Sequence, residues 1–229
     1  MDFKELLEKS RGYDNFEKKE KEYEEKQKSF VNRFWLPGEG SAKIVFLDDN
    51  PPIIEEHQLQ INGDWRNWFT CLRIVGEACP ICDGLNSNPY TVGFYTIIDT
   101  SEWTDKSGNT HKNELKLFAA KFKTLQILKR LSGKRESLVG CVFDVFRSSS
   151  DAANTGDVFE FEGRLTKEQI LKLNKDAKVF DYATIIKPKS AAEIAAILNR
   201  NSEASYGAGK PQGNTNFEYD YDDDDVLPF

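Results

Sequence analysis

Cys79-Pro80-Ile81-Cys82 sets two thiols two residues apart, with Cys71 and His57 shortly upstream, giving the spacing H-x13-C-x7-C-x2-C. A shared ion would force the segment 57–82 to fold back on itself, which few architectures allow. The two-residue gap lets both thiolates reach one ion, and Asp83-Gly84 turns the chain immediately afterwards. Tetrahedral zinc accepts three thiolates and one imidazole, and a closed set of four ligands is structural rather than catalytic. Taken singly, Cys71 also reads as a strand core residue and His57 as an ordinary surface histidine. The grouping carries the metal reading.

Two enzyme readings of the same residues are weaker. A zinc deaminase needs a glutamate two residues after its histidine and a proline just before its cysteine pair. Leu59 stands in the first position, and Pro80 lies inside the pair. A dithiol redox motif opens a helix after a strand, whereas Asp83-Gly84-Leu85-Asn86 reads as loop. The chain is therefore expected not to be an enzyme. Cys141 lies in Val139-Gly140-Cys141-Val142-Phe143-Asp144-Val145, on the face of Val139, Phe143 and Val145, and reads as packed core. His111 lies in a polar loop and reads as no ligand.

Charge is distributed unevenly over the 229 residues. The net charge is −7, but residues 201–229 hold seven acids against Lys210, which leaves −1 for residues 1–200. Residues 115–135 carry seven basic residues and no acid. A local basic surface is thus compatible with an acidic whole. No apolar run reaches membrane-span length, and Met1-Asp2-Phe3-Lys4-Glu5 is no signal-peptide core, so the expected compartment is the cytoplasm. Four cysteines in a reducing compartment suggest metal or packing before disulfides.

Three regions are expected. Residues 1–33 balance nine acids with nine bases and form a charged helical arm, with Phe16, Tyr23 and Phe30 at seven-residue spacing. Residues 34–200 form the core. Strands are predicted over 43–48, 57–61, 68–75, 91–100, 114–119, 138–147 and 157–162, with a turn at 49–52. Helices are predicted over 121–131, 166–174 (Thr166 as cap, Glu168 nearby) and 191–200. The expected class is mainly β with helices, specifically an OB-fold barrel with an embedded zinc-binding subdomain. Residues 201–229 are expected to be a disordered linker ending in an acidic tail.

Aromatic and basic residues gather around the metal motif. Trp65, Arg66 and Trp68 lie in one run, followed by Tyr90, Phe94, Tyr95 and Trp103, with Trp35 at the entry to the core. Rings on a sheet stack nucleobases, and Lys or Arg holds the phosphates. Lys116, Lys121 and Lys123 of the basic run, with Arg73 and Arg147, are the candidate phosphate contacts. Alternation puts Tyr95 on the more polar face of its strand, so Tyr95 rather than Phe94 is expected to face a ligand.

Arg33-Phe34-Trp35-Leu36-Pro37, Phe46-Leu47-Asp48, the His57–Cys82 motif and Leu138-Val139-Gly140-Cys141 together resemble phage single-stranded-DNA-binding proteins of the T-even helix-destabilising family. The resemblance implies an OB-fold, zinc held by His57, Cys71, Cys79 and Cys82, and an acidic tail that recruits replication partners. The charge-balanced arm differs from that family's basic N-terminal motif. The final Asp222-Asp223-Asp224-Asp225-Val226-Leu227-Pro228-Phe229 is similar to the tip of bacterial single-stranded-DNA-binding proteins, with Val226-Leu227 in place of one aliphatic residue. Phe229 offers a ring and a carboxylate to a basic-rimmed apolar pocket. The expectation is a protein that coats single-stranded DNA in replication, recombination or repair and self-associates on it. Its tail would bind partner proteins. A zinc-containing protein–protein adaptor and a single-stranded RNA-binding protein are the rivals.

Overall fold

In the computed structural model the described residues are Glu5, 13–29, 31–36, 40–104 and 108–200. Phe30 and the acidic tail, Asp222 to Phe229, lie outside them, as do the side chains of 22–29. The charged arm contains helix α1 (Tyr13–Ser29), on which Tyr13 and Phe16 are exposed.

The body is mainly β with helices. Strands β1 (Ser41–Phe46), β2 (Ile53–Ile61), β3 (Asp64–Thr70), β4 (Tyr90–Asp99), β7 (Glu114–Lys121), β8 (Cys141–Phe146) and β9 (Val158–Arg164) form one sheet. Its order is β3-β2-β4-β1-β8-β9, with β7 on the other side of β4 and every strand pair antiparallel. A small hairpin, β5 (Trp103–Thr104) and β6 (Thr110–His111), stands apart.

The ten residues of β4 organise the sheet. One edge pairs with β2 through 90–93 and with β1 through 97–99, while the other pairs with β7 along 92–99. The turn expected at 49–52 is therefore corrected: β1 and β2 run in the same direction along β4. Pro51 and Pro52 have no N–H to donate, so the ladder lapses there rather than reversing. The Asp48 carboxylate fills the gap by accepting from the Thr96 N–H at 3.1 Å.

Tyr95 is also a correction. It is 4% exposed, in one core with Phe46, Ile97, Phe118 and Phe143 beneath helix α3 (Phe122–Arg135). Phe46 meets the Tyr95, Phe118 and Phe143 rings at centroid distances of 5.5, 5.6 and 5.9 Å. The even face of β4 is no more open. Val92 and Phe94 lie beneath Phe180, Tyr182, Ile185 and Ile186, and Ile98 packs with Ile170. Helices α4 (Lys167–Leu173) and α5 (Tyr182–Ile185) belong to this outer cover.

The sheet is open. The free edge of β7 receives the segment before β1: Phe34 N–H donates to Leu117 C=O at 2.8 Å, and Leu117 N–H to Asn32 C=O at 2.9 Å. This pairing is parallel. Helix α6 (Ala191–Arg200) has the predicted limits. Thr166 is the N-cap as predicted, and Gln169 completes the capping box with it. Several strand limits are also corrected. β2 and β3 each start four residues earlier than predicted, residues 72–75 form a 3-10 turn that closes on Gly76, and β8 starts only at Cys141, after Gly140 with φ +76°. Among the described residues no helix is long and apolar enough to cross a membrane.

A Cβ on Gly140 would stand 2.5 Å from the Leu165 carbonyl oxygen. Gly140→Ala is expected to lower stability by about 2 kcal/mol. Gly133, inside α3, has open space around it. Gly133→Ala is expected to raise stability by about 0.5–1 kcal/mol. Urea unfolding midpoints of the two variants check both signs.

Candidate metal centre

The period of two along β2 puts His57, Leu59 and Ile61 on one face, all buried. Asn62 and Gly63, with φ of 53° and 80°, form the two-residue turn into β3. The register then sets Phe69 opposite His57. Cys71 leaves the strand but stays anchored, its N–H donating to the Glu55 carbonyl at 2.9 Å.

The pair Cys79/Cys82 sits on a single helical turn, α2 (Pro80–Gly84), with Cys79 as its N-cap and Pro80 at its first position. The loop expected directly after the pair is corrected in part: Asp83 and Gly84 complete this helical turn, and the irregular stretch begins only at Leu85. Proline sets the backbone for a helix start without costing a hydrogen bond, and residues three apart on a turn share a face.

The four side chains converge. Cys71 Sγ lies 3.7 Å from Cys82 Sγ. His57 Nε2 lies 3.5 Å from both Cys79 Sγ and Cys82 Sγ. All four donor atoms lie within 4.8 Å of one another. His57, Cys71 and Cys79 are buried and Cys82 half-buried. Leu59, Phe69, Leu72, Ile81 and, from α6, Ile194 form the apolar shell. The Arg73–Asp83 ion pair, at 2.8 Å, lies on the exposed side.

The electrostatics favour a cation. Burial pushes the Cys82 thiol up to about 12, helped by the hydrogen bonds it donates to the Cys79 and Cys71 sulfurs and by their negative charge. Burial also pushes Cys79 up, but the N–H groups of Cys82, Leu72 and Ile81 outweigh it and the net direction is down. His57 is pushed down by burial and then by Arg73, so the imidazole is held neutral, the form that binds metal. His57 Nδ1 is buried without a partner, leaving Nε2 as the atom turned into the cluster. Three crowded, buried thiols cannot all ionise alone, and a bound cation would stabilise them as thiolates. The residues fit a metal ion. Cys141 is separate and fully buried with Phe143 and Val145, as its strand pattern predicts, and its thiol donates to the Ser137 carbonyl at 3.3 Å; Val139, expected on the same packed face, precedes the strand and is exposed.

The expected nucleic-acid residues are dispersed. Trp35 and Trp65 are 58% and 43% exposed. Trp68 is half-buried under the Arg33 guanidinium, 4.1 Å from the ring centroid. Trp103 stacks on His111 at 4.3 Å and donates to Glu114. Tyr90 is turned inward, its hydroxyl donating to Glu56 at 2.9 Å, and burial pushes it well above the usual phenol range. Lys121 lies 4.6 Å over the Tyr90 ring. Lys116 pairs with buried Asp99 at 2.7 Å, and Arg66 pairs with Asp64 at 3.0 Å. Arg147 donates to the Ser150 carbonyl, and Lys123 is exposed on the first turn of α3.

A cleft of about 190 Å³ beside Trp68 was not legible in the sequence. Arg33, Thr70, Lys187 and Lys189 line it, with Glu56 at its base. Glu56 receives Arg33 through both carboxylate oxygens, one contact at 2.9 Å. The basic pair around Pro188 was the one available signal.

Comparisons of this chain with family models, curated proteins and solved structures give no match.

Cys79→Ser and His57→Ala are each expected to lose bound metal and lower the melting temperature by about 10 °C. Cys141→Ser, equally buried, is expected to keep its metal. Elemental analysis beside a thermal melt separates the cases.

Proposed function

We propose that this chain is a sequence-tolerant single-stranded-DNA-binding protein, akin to the phage family it resembles, with a structural zinc ion. The observation that carries the reading is the cleft beside Trp68, where the ring, the cations Lys187 and Lys189, and Arg33 paired with Glu56 share one concave surface. Exposed Trp35 is two residues from Arg33, and exposed Trp65 lies on the same strand as Trp68 but, three positions away, on its other face. Single strands are held by this combination of stacking rings and phosphate-binding cations.

Strand order supports an OB-type barrel. With β1 and β2 counted as one interrupted strand, the order is strand, β4, β7, helix α3, β8, β9, and the helix falls between the third and fourth strands. The metal segment is then an insertion between the first and second strands. Closure would bring β9 beside β7, where residues 32–34 now lie.

The donor spacing supports zinc. Arms of about 2.3 Å to sulfur and about 2.0–2.1 Å to nitrogen give tetrahedral edges of about 3.8 Å and about 3.5 Å. The Cys71–Cys82 separation is 3.7 Å, and the two cysteine–His57 separations are 3.5 Å. Three thiolates and an imidazole fill every position of such an ion, which suits a structural role.

One observation favours the adaptor. Tyr95, expected to face a ligand, is buried, and so is its neighbour Phe94, as an adaptor's aromatics would be. Anisotropy titration of labelled oligo-dT against a duplex of equal length, at several salt concentrations, separates the readings. Tight, salt-sensitive preference for the single strand is expected, and Trp65→Ala or Trp68→Ala should each weaken it about tenfold. Removal of 222–229 should leave the affinity equal or raised while ending recruitment of replication or repair partners. No binding at low salt, with the tail removed, overturns the DNA-binding reading and leaves the adaptor as the working one. Competition with oligo-U tests the RNA alternative.

A further inference from the structure

A second groove lies elsewhere on the surface, among residues the cleft does not use. It holds about 290 Å³ and is lined by Leu47, Val139, Leu165, Ile170, Ala177 and Val179. Lys167 and Lys178 complete its lining, which contains no carboxylate. Val139 and Val179 are nearly half exposed, at 44% and 45%, while Ile170 forms the floor at 9%. The floor is continuous with the cluster of Val45, Ile98 and Val142, so the groove, walled largely by connecting segments, opens into packed core. An apolar hollow with a purely cationic rim suits a ligand that is apolar at one end and anionic at the other.

This chain carries such a segment. Asp222 to Asp225 run directly into Val226-Leu227-Pro228-Phe229, in a stretch 201–229 of net charge −6. Twenty-five residues separate Arg200 from Val226. Extended, they span up to about 80 Å, enough to reach any face of a body this size.

We propose that the groove is the docking site of the chain's own tip, with Leu227 and Phe229 in the hollow and the aspartates beside Lys167 and Lys178. Tethering makes this contact effective at an affinity that would be weak between separate molecules. Groove and cleft share no lining residue, so the docked tip occupies a site separate from the cleft. This is distinct from an acidic tail lying across a nucleic-acid surface, and it does not depend on nucleic-acid binding.

Methyl NMR of the full chain tests it without any nucleic acid. Leu227→Ser with Phe229→Ser is expected to shift the methyl signals of Val139, Leu165, Ile170 and Val179. Those of Leu59 and Ile81, at the metal centre, should stay in place. Groove methyls that coincide in the two spectra overturn the proposal. Shifts that vanish on dilution place the tip on a second copy and overturn the intrachain assignment. Lys167→Glu with Lys178→Glu gives the reverse view: the Val226 and Leu227 methyls should move to the positions they hold in a free peptide of residues 218–229. Tip methyls that ignore the charge reversal count equally against it.

Discussion

A strand buried on both faces needs two covering layers, and β4 is such a strand. From Val92 to Asp99 every residue is buried. Tyr95 and Ile97 face the core under α3, and Val92, Phe94 and Ile98 face the segment that follows β9. Each large apolar side chain so buried contributes about 1.5–3 kcal/mol, so neither layer can be removed without exposing the strand. The outer layer is also pinned by polar contacts. The Tyr182 hydroxyl lies 2.9 Å from the Thr96 hydroxyl and donates to Asp48, which also accepts from the Thr96 N–H. Burial raises the Asp48 carboxyl above its usual range, the cost of placing it where two prolines interrupt the ladder.

The metal centre hangs from the same framework. The first half of β2 pairs with β4, and the second half continues past it to pair with β3. His57 lies just beyond the last pairing with β4, at Glu56, where the sheet passes from one layer to the next. Helix α6 then closes the apolar shell around the centre.

The residues of this centre were legible because their chemistry and spacing are local: four donors within 26 residues, each of a type that seeks metal. Helix α6 was legible for a similar reason, its apolar residues recurring at helical spacing. Tyr95 was misjudged because alternation assumes one wet face. The near-continuous run from Val92 to Ile98 was the better signal, marking a strand covered on both sides. Asn62-Gly63 was a hairpin signal available to the same reading. The cleft beside Trp68 was hidden because Arg33, Trp68, Lys187 and Lys189 lie up to 156 positions apart. No local pattern reports such a meeting, and it follows only from the layer that covers β4.

Residues 31–36 hold their place through partners distant in the chain. Phe34 bonds to Leu117 and stacks on Phe118, and Leu36 bonds to Asn154. During synthesis this segment emerges before either partner exists. Its loop-closure entropy is repaid only after β7 and the β8–β9 hairpin are in place. The guard on the edge of β7 therefore cannot take its place before β7 and the β8–β9 hairpin are formed. Folding order and edge protection are linked in one short stretch, and a nascent chain must cross an interval in which β7 presents an unpaired edge to its neighbours.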